Sequence, residues 1–116
     1  MLARENRLTK KEDFSRVYEN GRYFCQNNIS IKFLKATGLE VRVGFSIGKN
    51  YSKLATERNK ARRILRHAML KNITNIKPGY DIVIMLKKGK HTQSKFSMIE
   101  ALKDFETIFS KTNLYK

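Results

Sequence analysis

The sequence predicts an α+β sandwich in which helices pack on a mixed sheet of about four strands. Three observations carry this expectation. Residues 28–33 and 41–47 alternate apolar and polar side chains with period two, the pattern of half-buried strands. Residues 82–86 are apolar without interruption, which fits a strand covered on both faces. Three further stretches place apolar residues three and four apart, as amphipathic helices do. The expected order is α-β-β-β-α-β-α in one domain over residues 1–116, a length suited to one modest core.

The first helix spans about residues 10–20. Thr9 and Glu12 have capping-box spacing, Phe14, Val17 and Tyr18 share a face, and Gly21 supplies the stop. Residues 22–25 carry a weak strand signal. In the next strand Ile29, Ile31 and Phe33 face a core while Ser30 and Lys32 face away. Thr37-Gly38 marks a turn, after which Val41, Val43, Phe45 and Ile47 point inward, and the two alternating strands are expected to pair as a hairpin. The long helix occupies about residues 54–71. Pro78-Gly79 ends the connection to the strand over residues 80–86, completing a strand, helix and strand crossover. Ser97 and Glu100 repeat the capping-box form ahead of a helix over about residues 97–110, with Met98, Ala101, Leu102, Phe105, Ile108 and Phe109 on its apolar face.

Charge is concentrated in the long helix. The chain carries 25 Lys and Arg against 10 Asp and Glu, a net +15, which repels itself in the compact state unless a polyanion offsets it. Residues 49–71 hold eight Lys or Arg and one acid, Glu57. Ala61, Ile64, Leu65, Ala68 and Met69 make a buried stripe, while Asn59, Arg62, Arg63 and Arg66 project from the other side. A solvated face mixes signs to gain pairs one turn apart, and this one barely does. Guanidinium forks on an anchored rod suit phosphates.

Several chemistries have no sequence support. No P-loop, dinucleotide fingerprint or His-Glu-x-x-His occurs. The acids are scattered, with Glu12 and Glu100 read as helix caps and Asp104 and Glu106 on the outer face of the last helix, so a protein-based nuclease lacks its parts. Cys25 is the only cysteine, and no motif ties His67 or His91 to it. An apolar filler is the simpler reading than a thiol nucleophile, and a reducing cytoplasm is the expected setting. No apolar run approaches the roughly 18 residues needed to span a bilayer, and the first residues lack the apolar segment of a secretory signal, so no membrane partner is expected.

The run Arg58-Asn59-Lys60-Ala61-Arg62-Arg63-Ile64-Leu65-Arg66 resembles the Arg-Asn-Arg signature helix of the protein subunit of bacterial ribonuclease P. The likeness extends over the chain in order. Residues 7–14 with Val17, Tyr18 and Gly21 resemble the family's first helix, Val43-Gly44-Phe45-Ser46-Ile47 with Lys49 its strand and basic loop, Asp81-Ile82-Val83-Ile84 with Lys87 its following strand, and Leu114-Tyr115-Lys116 its tail. The resemblance implies a ribosomal-protein-like fold with a left-handed βαβ crossover, against the general right-handed rule. It also implies a basic partner of a catalytic RNA that removes the 5′ leader of precursor tRNA, with Mg²⁺ held mainly by the RNA subunit. The likeness leaves protein-bound metal sites open and implies no obligate protein partner. By the same likeness Arg58, Asn59, Lys60, Arg62, Arg63 and Arg66, with Lys53 in the loop before them, contact the catalytic RNA. A cleft bordered by Phe14 and Tyr18, with Lys32, Ser46, Lys49 and Lys87 as backbone partners and Tyr115 closing one end, takes the leader. Phe14 and Tyr18, at i and i+4, also fit plain core packing.

Two departures stand out. Lys32 occupies a position where the family often has an aromatic residue, and residues 51–57 run one residue longer than the usual connection, with Glu57 beside Arg58. The rival reading is a structural RNA-binding protein of ribosomal type, which needs the Arg face but no open aromatic groove.

Overall fold

The computed structural model describes residues 2–87 and 97–116. Residues 88–90 of the basic run after the last strand, and His91, lie outside the described residues. The elements follow as α1 (Lys11–Asn20), β1 (Arg22–Gln26), β2 (Ile29–Lys35), β3 (Arg42–Ser46), α2 (Ala55–Asn72), β4 (Tyr80–Leu86) and α3 (Met98–Lys111). Short 3-10 turns stand at Arg4–Asn6 and Ile73–Asn75. The weakly signalled strand is therefore β1, and the predicted α-β-β-β-α-β-α order is the observed one.

The sheet order is β1-β2-β4-β3, with β4 antiparallel to β2 and parallel to β3. This corrects the expected hairpin between β2 and β3. β4 is apolar on both faces, so burial on both sides favours a central place, and it separates the two alternating strands. The tight hairpin is β1 with β2 instead, turned by Asn27 at φ 54°, a left-handed conformation that Asn tolerates.

Alternation along the strands assigns each face. Ile29, Ile31, Phe33, Val43, Ile82, Ile84 and Leu86 pack under α2 and α3 with Leu65, Met69, Phe105 and Phe109 in the main core. On the opposite face α1 buries Val17 against Val83 and Leu8 in a smaller cluster. α3 begins as expected, since the Ser97 hydroxyl accepts from the Glu100 N–H at 3.3 Å.

Two capping assignments are corrected. Thr9 and Glu12 form no capping box: Lys10 precedes the first turn of α1 and contributes no side-chain bond. The preceding chain is held extended along β3, where Leu8 N–H donates to Val43 O at 3.0 Å, so the helix begins one residue later than a Thr9 cap requires. Asp104 is not on an outer face. It is buried and accepts from Asn27 Nδ2 at 2.8 Å, fastening α3 to the β1–β2 turn.

Candidate RNA interface

The face beneath α1 is built from cross-strand rows. Leu34, Asp81 and Arg42 form one row, Tyr23, Lys32, Val83 and Gly44 the next, and Cys25, Ser30, Met85 and Ser46 the third. α1 is tied over the first row by ions. Arg42 donates to Asp81 through Nε at 2.8 Å and Nη2 at 2.7 Å, Arg16 also donates to Asp81, and Asp13 accepts from Arg42 at 3.3 Å. Asp81 is fully buried, and its hydrogen bonds and charge hold the Arg42 pKa above the ordinary value. Sequence reasoning gave neither Asp81 nor Arg42 a role, because their spacing along the chain carries no sign of it.

α1 lies over the first row and, through Phe14, Val17 and Tyr18, over much of the second, so the third row borders it. Phe14 rests on Gly44, and a Cβ at that position would stand 2.7 Å from its Cε1. Tyr18, one turn on, has its ring centroid 6.4 Å from that of Phe14 and its carbonyl bonded to Lys32 Nζ at 2.8 Å. Both rings are half-buried, packed on the Leu8, Val17 and Val83 cluster from one side. Each ring is thus partly packed and partly exposed. Lys32 Nζ also lies 5.8 Å from the Tyr18 ring centroid. Ser46 is half-buried on the third row, Lys49 is exposed in the turn closed by Tyr51 N–H on Gly48 O, and Lys87 is exposed at the end of β4.

Tyr115 does not join them. It packs on the α2 and α3 side, 5.6 Å from the Phe109 ring, and its hydroxyl donates to Asn72 Oδ1 at 2.6 Å. The expectation that it closes the cleft is corrected: its backbone bridges to Ile76, which carries the tail to the far face. Burial raises the Tyr115 pKa, so the phenol stays a neutral donor.

The basic band of α2 divides into two stripes. Asn59, Arg62 and Arg66 turn toward β3, where Arg62 donates to Ile47 O at 2.9 Å and to Asn59 Oδ1 at 2.8 Å. Lys60, Arg63 and His67 border a separate surface cleft with Ile64 and Met98. Ala61, Leu65, Ala68 and Met69 are buried as predicted, with Ile64 half-buried at the margin. Arg58 folds back to donate to Ser52 O at 3.0 Å, and Lys53 is exposed beside it. Glu57 accepts from the Ser52 hydroxyl, which itself accepts from Leu54 N–H, so the longer connection is closed by its own side chains.

The helix and the groove meet. A cleft of about 310 Å³ at the β3 edge is lined by Leu8, Phe14, Gly44 and Phe45 together with Arg62 and Arg66. Guanidinium groups assigned by sequence to one surface thus share a cavity with an aromatic assigned to another. Among the described residues no three His, Cys, Asp or Glu side chains come together as a metal-ligand set, and the buried carboxylate of Asp81 is committed to Arg42 and Arg16. Among the described residues no helix is long and apolar enough to cross a membrane.

A model of the Ribonuclease P family matches residues 2–113. The chain belongs to the ribonuclease P protein family. A ribonuclease P protein component of Caldanaerobacter subterraneus subsp. tengcongensis is 30% identical over 117 residues, covering 100% of this chain and 97% of the relative. One from Clostridioides difficile is 41% identical over 81 residues, 69% of this chain and 70% of that protein. The fold is shared with the ribonuclease P protein of Staphylococcus aureus, with a TM-score of 0.81 at 19% identity, over 96% of this chain and 98% of that one. The ribonuclease P protein of Thermotoga maritima gives 0.78 at 23% identity, over 90% and 96%. The mixed four-stranded sheet with three helices is thus the fold of ribonuclease P proteins.

Tyr23 escaped the sequence reading. It stands half-exposed on β1 in the same row as Lys32, and only the weak strand signal over residues 22–25 pointed to its face.

Proposed function

We propose that this chain is the protein component of a cytoplasmic ribonuclease P that binds the catalytic RNA through α2 and the 5′ leader of precursor tRNA in the groove beside α1. The observation that supports this reading is the cleft at the β3 edge, where Phe14 shares a wall with Arg62 and Arg66, with Tyr18 one helical turn along α1 and Lys32 beside it. A structural RNA-binding protein needs only the Arg stripes, whereas here Phe14 and Tyr18 border a floor carrying Lys32, next to Arg62 and Arg66.

The physics matches a leader of variable sequence. Aromatic rings stack on any base, and ammonium groups meet the sugar-phosphate chain without reading it. The Arg stripes gain from counterion release when they neutralise phosphates, and a net charge of +15 offsets repulsion between two RNAs brought together. Phosphodiester hydrolysis is assigned to the RNA subunit with its Mg²⁺. The protein holds and orients.

Reconstitution with a bacterial ribonuclease P RNA at low Mg²⁺ and physiological salt tests this. Adding the chain is expected to accelerate cleavage of precursor tRNA, and cleavage left unchanged would remove the proposal. Tyr18→Ala is expected to weaken binding of the leader-bearing precursor more than that of mature tRNA.

A further inference from the structure

The sheet face that carries Lys32 beside Tyr18 also carries a second aromatic. Tyr23 lies on β1 in register with Lys32, so its side chain rises from the same face on the neighbouring strand. Its ring is 50% exposed, unusual for so large a side chain on the row that α1 partly covers. Lys87, arriving from the end of β4, places Nζ 3.3 Å from the Tyr23 hydroxyl and 5.7 Å from the ring centroid. The arrangement repeats that of Lys32 over Tyr18. Each tyrosine has an ammonium group beside it, as a nucleotide requires: a ring for the base and a cation for the phosphate.

The adjoining row of the same sheet face holds an unpaired polar group. Ser30 is fully buried in the adjoining row between Cys25 and Met85, and its hydroxyl has no hydrogen-bond partner among the described residues. A buried hydroxyl left unpaired is costly, and it marks this row as polar beneath its surface. Lys32 puts a charge rather than a ring at the middle of the floor. Its cross-strand neighbour supplies the ring instead.

We infer that Tyr23, steadied by Lys87, is a second stacking platform for single-stranded RNA beyond Tyr18, and that it sets how much leader length the groove rewards. The inference rests on the proposed leader-binding groove. A base on Tyr23 replaces water over the open part of the ring while Lys87 turns to the adjacent phosphate. No base edge is read, so the preference is for length and not sequence.

The test uses the holoenzyme reconstituted with catalytic RNA and precursor tRNA whose leader is lengthened one nucleotide at a time. With long leaders Tyr23→Ala is expected to bind about five- to tenfold more weakly, the lower part of the range for losing one stacked base. Leaders too short to reach β1 should bind Tyr23→Ala and the wild type alike, and Tyr23→Phe should retain the full length dependence. An abasic nucleotide scanned along the leader should abolish the difference between Tyr23→Ala and the wild type at one position. Wild-type affinity of Tyr23→Ala for every leader, or an equal loss for mature tRNA, would overturn the inference.

Tyr18→Ala in the same series separates the two readings. If it loses leader-dependent affinity while Tyr23→Ala does not, the groove stands and this inference falls; if neither does, both fall. A second measurement needs no substitution. Cys25, exposed on β1 in the next row, should be alkylated more slowly when a long-leader precursor is bound than when mature tRNA is bound. Equal rates would count against a path over β1.

Discussion

The ring of Phe14 occupies the space that a side chain at Gly44 would fill. A Cβ at position 44 would meet Cε1 at 2.7 Å, Cζ nearer still and the Cβ of Leu8 at 3.2 Å. Glycine on β3 therefore lets α1 approach the sheet, and that approach fixes where the groove begins.

Gly44→Ala is expected to displace Phe14 and cost about 1–3 kcal/mol, the range for an overpacked core position. Denaturant unfolding reads the loss as a lower midpoint at unchanged slope. Phe14→Leu in the Gly44→Ala background should recover part of it, because the two positions share one space and their effects are not additive. A strictly additive double variant would show that the ring yields freely.

Asp81 is the charged anchor of the same helix. Replacing it with Asn removes the partner of two guanidinium groups, Arg16 and Arg42, that α1 and β3 bring together. Losing one member of a fully buried pair costs about 3–5 kcal/mol, and the partial exposure of both arginines lowers the expectation to about 2–3 kcal/mol. Thermal and urea unfolding check it. A loss below about 0.5 kcal/mol would mean that water replaces the carboxylate at little cost.

Asp104 makes stability depend on pH in the opposite sense to most carboxylates. Burial raises its pKa above the ordinary 3.8, the bond from Asn27 offsets part of that, and Glu100 adds to the rise. The folded protein therefore holds this proton more tightly than the unfolded chain. The contribution is fully present below the unfolded pKa and is lost as pH rises through the folded value. Asp104→Asn removes the buried charge and keeps an oxygen to accept from Asn27. It should raise the melting temperature at neutral pH and flatten stability across the weakly acidic range. An unchanged pH profile would show that solvent reaches the carboxylate.

The two stripes of α2 should separate in a salt titration. For every phosphate the protein ceases to neutralise, the slope of log affinity against log salt falls by roughly one. Arg66→Ala, on the stripe facing β3, and Arg63→Ala, on the stripe facing α3, should each flatten the slope for the catalytic RNA. The double variant should flatten it by about two. A slope insensitive to one member would restrict RNA binding to the other stripe.

Helix and strand identities were legible in the sequence because they depend on local periodicity. The apolar stripe of α2, the alternation of β2 and β3 and the two-sided apolarity of β4 each repeat within a few residues, and the cap at Ser97 needs only its neighbour at Glu100. The Thr9 cap failed where a local signal met a distant partner, the β3 edge that holds Leu8 extended. The cluster of positive charge, and with it the expectation of a polyanion, is likewise a property of composition.

Which elements become neighbours was decided only by the tertiary structure. Periodicity says that a strand has a buried face and not which strand lies beside it, so the insertion of β4 between β2 and β3 could not be read from either alternating segment. The groove depends on that insertion. It brings Asp81 to Arg42 and Arg16, sets Gly44 under Phe14, and carries Lys87 to Tyr23, residues separated by up to 65 positions. The sequence determined an anchored basic helix suited to a polyanion. Packing at a distance determined that the helix shares an edge with an aromatic groove and that the tail carrying Tyr115 lies on the other side of the sheet.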